Sequence, residues 1–142
     1  DGLTVTMMGD LKHGRTVHSL AKLLRLYGVR FNFVSPKELA MPREYVLDGD
    51  QETDELWDVI RDTDVLYVTR VQKERFKADG DYHYGVTPEH MAAAKPTLSL
   101  MHPLPRVNEI PLELDADPRS AYFRQMRNGL FVRMAILMNL LG

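Results

Sequence analysis

There is no cysteine among the 142 residues. That rules out a disulfide framework and thiol chemistry, and it suits a reducing compartment. A large excess of either charge is also missing: the net charge is −2, so there is neither a bulk basic footprint for nucleic acid nor an acidic tail. No apolar run is long enough to span a bilayer, and no stretch has the form of a signal peptide. A dinucleotide-binding fingerprint is lacking. Gly9-Asp-Leu-Lys-His-Gly14 does not have the Gly-x-Gly-x-x-Gly spacing, and Phe33-Val34-Ser35 stands where an acidic residue would close the second strand. The five histidines show no metal-ligand spacing, and neither a nucleophile elbow nor a Ser-His-Asp order is visible.

What remains is an ordinary globular composition, 44% hydrophobic and 27% charged, in a length suited to one domain. The chain enters a strand almost at once and has no initiator Met, as expected of a segment from a longer polypeptide. Strand and helix patterns alternate. Leu3 to Met8 reads as a strand, and Val17, Leu20, Leu23, Leu24 and Tyr27 keep helical spacing up to a stop at Gly28. Arg30 to Val34 is a second strand, which completes a right-handed βαβ unit. Arg43 to Leu47 could begin a helix, residues 48–54 are polar and loop-like, and Glu55 to Ile60 has the pattern of a short amphipathic helix. Val65 to Val68 suits a strand covered on both faces. Thr87-Pro88 has the form of an N-cap with Pro at the first helical position, and a further strand is expected over Thr97 to Met101.

The pattern predicts an α/β fold with three layers, doubly wound around a mainly parallel sheet of about four to five strands. The seeds at Leu3, Arg30, Val65 and Thr97 make four of them, with 48–52 as a loop or chain break. Near the C-terminus a helix is predicted over Arg119 to Arg127, with a break at Asn128-Gly129. A second helix over Leu130 to Leu141 is apolar nearly all round and should show an exposed apolar face.

The candidate site gathers beyond the Val65–Val68 strand, because open α/β sheets bind ligands at the carboxyl edge. There Thr69-Arg-Val-Gln-Lys-Glu-Arg75 packs donors together. Arg70 and Arg75 offer planar forks for carboxylate or phosphate, and Gln72 adds a neutral donor and acceptor. The plainer alternative is a solvated loop. Arg15 is more pointed, since it opens a helix whose positive end repels a cation unless an anion sits beside it. The prolines of His102-Pro103-Leu104-Pro105 fix the backbone of that turn. With arginines and a glutamine but no nucleophile and no evident base, the set points to binding and orienting a dicarboxylate.

Four ordered motifs carry a closer resemblance: Gly9-Asp-Leu-Lys-His-Gly-Arg-Thr-Val-His-Ser-Leu20, Thr69-Arg-Val-Gln-Lys-Glu-Arg-Phe76, His102-Pro-Leu-Pro-Arg-Val-Asn-Glu-Ile110, and Ala121-Tyr-Phe-Arg-Gln125 with Asn128-Gly129. They closely resemble the C-terminal, aspartate-binding domain of aspartate transcarbamoylases, over nearly the whole chain. His13 and Val107-Asn108-Glu109-Ile110 are most similar to the form found inside fused eukaryotic pyrimidine-synthesis polypeptides. Ornithine transcarbamoylases differ by a Cys in the motif that matches His102 to Pro105.

The resemblance implies that Arg15 holds the aspartate α-carboxylate and that Arg70 and Gln72 hold its side-chain carboxylate. It implies that Pro103, Leu104 and Pro105 line the pocket near the carbamoyl group, with backbone carbonyls taking the amine. Lys73, Glu74 and Arg75 would order the loop and help domain closure. It further implies L-aspartate and carbamoyl phosphate as substrates, the latter through an N-terminal domain whose motifs are not in this sequence. It implies no cofactor or metal, no nucleic-acid or membrane partner, a cytoplasmic homotrimeric parent, and a fragment that is inactive alone. Two alternatives stand beside it: a dicarboxylate-binding module without catalysis, and a nucleotide-binding oxidoreductase domain, which the missing glycine fingerprint disfavours. Residues 47–64 and 77–86 are short for the family.

Overall fold

The computed structural model describes residues 2–71 and 84–142. A five-stranded parallel sheet runs through it, formed by β1 (Thr4–Met8), β2 (Arg30–Val34), β3 (Gln51–Thr53), β4 (Val65–Val68) and β5 (Ser99–Met101). Their order across the sheet is β3-β2-β1-β4-β5. The register pairs Met8 with Val34 on one side and with Val68 on the other, and Tyr67 with Met101. Among the described residues the α-helices are α1 (Arg15–Arg25), α2 (Pro88–Ala93) and α3 (Tyr122–Leu141).

Two apolar clusters lie on the two faces of the sheet. Alternation along β1 sends Val5 and Met7 to one face, where they meet Phe31, Phe33 and Tyr67 under Val17 and Ala21 of α1. Met8, Leu66, Val68 and Leu100 join Met91 of α2 on the other face, with Leu56, Val59 and Ile60. The result is helix, sheet, helix, as the alternating pattern predicts. Beside the apolar clusters lies a buried polar trio: the Thr6 hydroxyl bonds Thr63 Oγ1 at 2.6 Å and accepts from Asn32 Nδ2 at 3.1 Å.

The expectation of four strands with a loop or break at 48–52 is overturned. Residues Gln51–Thr53 form a fifth parallel strand, with Asn32 opposite Gln51 and Val34 opposite Thr53. Three polar residues on a sheet edge bury little, so no apolar run announces them. What places them is tertiary: Arg25 forks onto the Asp50 carboxylate and reaches the Tyr45 carbonyl at 3.2 Å, just ahead of the strand.

Other boundaries shift as well. Arg43–Tyr45 is a single 3-10 turn, and the helix expected over Glu55 to Ile60 is two such turns, Leu56–Asp58 and Ile60–Asp62. Thr87 caps α2 as expected, and His90 supplies the reciprocal half of a capping box: its Nδ1 accepts the Thr87 amide at 3.1 Å. The helix expected from Arg119 begins instead at Tyr122. Arg119 is diverted into bonds to Asp117 and, at 2.7 Å, to the Met91 carbonyl. The break expected at Asn128-Gly129 is absent, and α3 runs through both residues. A glycine inside a helix costs about 1 kcal/mol, which the full helical turns on either side of it tolerate. From Leu130 onward nearly all of α3 is exposed, Leu137 at 55% and Leu141 at 82%, in line with the exposed apolar face read from the sequence.

Candidate functional site at the carboxyl edge of the sheet

The chain leaves β1 toward β2 on one side, and β4 returns on the other, so the direction of winding reverses between β1 and β4. A crevice outside the strand ends at such a reversal is where open α/β sheets hold ligands. Three loops converge on this edge: the one after β1 leading to Arg15, the one after β4 carrying Arg70, and the one after β5 carrying His102 to Pro105.

The first two loops are locked together by backbone. Thr69 donates both its amide, at 2.8 Å, and its hydroxyl, at 3.1 Å, to the Met8 carbonyl. Gly9 adopts φ +119°, and a Cβ there would lie 2.3 Å from the Thr69 carbonyl oxygen, so only glycine permits this approach. Beyond Gly9, the buried Asp10 carboxylate accepts the His13 amide at 2.9 Å and faces His13 Nδ1 at 3.1 Å. This fixes the turn that delivers Gly14 as the N-cap of α1.

No side chain caps α1, and its first turn contains no acidic residue. Arg15 is the first helical residue and is exposed, and among the described residues its guanidinium makes no ion pair. A helix start with open amides and an arginine beside them suits an anion. Arg70 is exposed two residues past β4. Behind it Tyr67 is buried, and desolvation pushes its hydroxyl above the ordinary tyrosine range against bonds to Thr16 and Gln125. Tyr67 therefore stays a neutral strut under the crevice.

The third loop is held in a defined shape. Leu104 adopts φ +50°, a left-handed conformation that costs an L residue roughly 1–2 kcal/mol, and the Leu104–Pro105 peptide is cis. Pro103 and Pro105 are exposed and Leu104 is partly so, which leaves the turn open to a ligand. Arg106 anchors the exit by forking onto Asp115 and touching the Tyr122 hydroxyl at 3.0 Å.

Arg15 and Arg70 thus share one edge of one sheet, as the sequence predicts, and the Pro103–Pro105 turn lies at the same edge. Gln72, Lys73, Glu74 and Arg75 lie outside the described residues. Gly9, Thr69 and the buried pair His102 and Glu109 stand in the sequence only as members of longer motifs, with no site role of their own. The signal for the pair was weak, a histidine and a glutamate seven apart around two prolines. Among the described residues no group of three or more His, Asp or Glu could hold a metal ion, and no helix is long and apolar enough to cross a membrane.

Comparison with known proteins agrees with this geometry. Residues 1–140 match the family profile described as aspartate/ornithine carbamoyltransferase, Asp/Orn binding domain. The multifunctional protein CAD of Squalus acanthias is 50% identical over 153 aligned positions, covering all of this chain and 7% of that protein. The aspartate carbamoyltransferase catalytic subunit of Methanosarcina acetivorans is 48% identical, covering all of this chain and 50% of the subunit. Among solved structures, the catalytic subunit of M. jannaschii aspartate transcarbamoylase superposes with a TM-score of 0.88 at 44% identity, over 96% of this chain and 48% of that one. Aspartate transcarbamoylase from Trypanosoma cruzi, in complex with aspartate and phosphate, gives 0.85 at 46% identity, over 96% of this chain and 46% of that one. The chain therefore spans about half the length of the free-standing subunits it matches. With its motifs, its fold and this match in agreement, the chain belongs to the aspartate/ornithine carbamoyltransferase family, matching its Asp/Orn-binding domain.

Proposed function

We propose that residues 1–142 are the aspartate-binding half of an aspartate carbamoyltransferase. Such an enzyme transfers the carbamoyl group of carbamoyl phosphate to the amine of L-aspartate, giving N-carbamoyl-L-aspartate and phosphate for pyrimidine synthesis. The observation that carries the reading is the placement of Arg15 and Arg70 on opposite sides of the β1/β4 reversal, with the Pro103–Pro105 turn beside them. Two forked cations across a crevice suit a molecule with two carboxylates.

In this reading Arg15 and the open amides of α1 take the α-carboxylate, and Arg70 with Gln72 takes the side-chain carboxylate. Backbone carbonyls of the turn around Leu104 accept from the amine. That orients the nitrogen lone pair toward a carbamoyl carbon brought by the other half of the enzyme. The amine attacks, the C–O bond to phosphate breaks, phosphate leaves, and the nitrogen sheds a proton. No side chain here needs to act as a nucleophile. Lys73, Glu74 and Arg75 order the loop as the halves close. Rate comes from orientation and from fixed positive charge around two anionic substrates. The apolar flank of α3 is where further protein packs, and the parent enzyme is a cytoplasmic homotrimer.

The test is a turnover assay. The chain joined to a carbamoyl-phosphate-binding half should form N-carbamoyl-aspartate, and the chain by itself should not. Turnover by the chain alone would defeat this division of labour. Aspartate binding without turnover in the joined enzyme would instead favour a dicarboxylate-binding module.

A further inference from the structure

The turn at the third loop is shaped by two buried groups that the proposed chemistry does not use. His102 and Glu109 are each 2% exposed. The Leu104 amide donates to His102 Nδ1 at 2.8 Å. That nitrogen must therefore present its lone pair, and the ring carries its proton on Nε2. Nε2 lies 2.8 Å from Glu109 Oε1, the acceptor this tautomer requires. The other carboxylate oxygen accepts the amides of Val107, at 3.2 Å, and Asn108, at 3.1 Å. Burial pushes the Glu109 carboxyl up, but the His102 bond and the backbone donors outweigh it and hold it below the ordinary range. A third element closes the arrangement: Gln125, in the first turn of α3, accepts the His102 amide at 3.1 Å.

A carboxylate and an imidazole buried together are poor value as stabilisers, since apolar side chains of similar volume fill such space as well. What they supply is geometry. We infer that Glu109, acting through His102, is a positioning residue for the aspartate site: it fixes the imidazole tautomer whose Nδ1 holds the Leu104 amide, and so sets the backbone that meets the substrate amine. This rests on the functional reading above, in which the turn around Leu104 touches aspartate.

Glutamine at 109 tests the linkage because it is nearly the same shape. An amide has only one oxygen. If that oxygen takes the Val107 and Asn108 amides, the NH2 faces Nε2, and the ring must move its proton to Nδ1. An Nδ1–H then opposes the Leu104 N–H, and the turn loses its anchor. If the oxygen faces Nε2 instead, two backbone amides meet an NH2 group. Asparagine at 102 does the reverse: its side-chain oxygen can accept the amide two residues on, as in an Asx-turn, and so replaces Nδ1 without needing Glu109.

In the complete enzyme, Glu109→Gln should raise the aspartate KM about tenfold, the size of one lost charge-assisted hydrogen bond, and leave the carbamoyl phosphate KM within about twofold. His102→Asn should keep an aspartate KM much nearer the parent than His102→Ala, and adding Glu109→Gln to His102→Asn should change it little further. An unchanged aspartate KM in Glu109→Gln overturns the inference. So does an equal rise whether His102 is present or replaced by Asn, which would mark Glu109 as structural only. Nitrogen-15 spectra of the unmutated protein should find the His102 proton on Nε2; a proton on Nδ1 overturns the inference even if the variants fail to fold. An unmutated enzyme that does not carbamoylate aspartate defeats the functional reading and this inference together. A working parent with an indifferent Glu109→Gln defeats this inference alone.

Discussion

Gly9 and Thr69 touch backbone to backbone across the β1/β4 reversal, so closely that a Cβ on Gly9 would sit 2.3 Å from the Thr69 carbonyl oxygen. Gly9→Ala therefore meets two obstacles, a backbone clash that no rotamer relieves and a φ of +119° that alanine disfavours. The expected cost is roughly 2–4 kcal/mol of stability. Because the displaced residue precedes Arg70, aspartate saturation in the complete enzyme should shift to higher concentration. A thermal midpoint equal to the parent's would refute the close approach.

Arg70 offers a sharper separation of charge from shape. Lys at this position keeps the charge but loses the two-pronged match to a carboxylate. Arg70→Lys should weaken aspartate use tens-fold or more, and Arg70→Ala further, with removal of a desolvated charged partner worth roughly 2–5 kcal/mol. Carbamoyl phosphate saturation should barely move. Aspartate curves for Arg70→Lys that overlay the parent's would return Arg70 to the role of a solvated loop residue.

The exposed flank of α3 predicts behaviour in dilute solution. Leu130, Phe131, Ile136, Leu137 and Leu140 are all at least half exposed on one helix, an apolar flank of the kind that favours association. The 142-residue chain by itself should therefore self-associate as its concentration rises, and Leu137→Glu with Leu140→Glu should suppress this without altering the circular dichroism of the sheet. Sedimentation velocity that reports a monomer at all concentrations would count against this.

Acid should weaken one specific tie. Asp64 accepts from Lys95 Nζ at 2.7 Å and from the Thr4 amide at 2.9 Å, binding β4 to the end of α2 and to β1. These bonds, Lys95 first, hold its carboxyl below the ordinary value of 3.8. A depressed folded value contributes stability above the unfolded value that is lost as pH falls through the folded one. Asp64→Asn should thus lower the thermal midpoint at neutral pH, through a stability loss of about 1 kcal/mol at most because water screens a pair this exposed. The gap from the parent should close below about pH 4. A gap that stays constant with pH would show that the carboxylate charge is not the cause.

How much of this was legible in the sequence divides along one physical line. Elements that bury a periodic apolar face announced themselves, among them β1, α1, β2, β4 and the capped start of α2. Elements defined by long-range partners did not. β3 exists because Arg25 grips Asp50 and β2 offers an unpaired edge, and neither fact is written in Gln51-Glu52-Thr53. The start of α3 moved to Tyr122 because Arg119 is spent on the Met91 carbonyl, 28 residues away. Arg15 and Arg70 stood out in the sequence by residue type and by their position after strands. Glu109 was missed because a carboxylate among prolines and hydrophobic residues carries no sign of burial until the turn closes over it.

The two margins of the sheet decide which way this domain can meet other chains. On one side β3 is three polar residues long, with Glu52 bridged to Arg43 at 2.6 Å. On the other, β5 is already occupied: Leu100 donates to the Arg119 carbonyl at 2.9 Å and accepts from the Ala121 amide at 2.7 Å. Among the described residues, a stray strand therefore finds a charged stub on one flank of the sheet and a sealed seam on the other, which disfavours β-type polymerisation. α3, by contrast, carries a run of exposed apolar side chains. Assembly through α3 can then proceed without disturbing the register that lines up Arg15, Arg70 and Leu104.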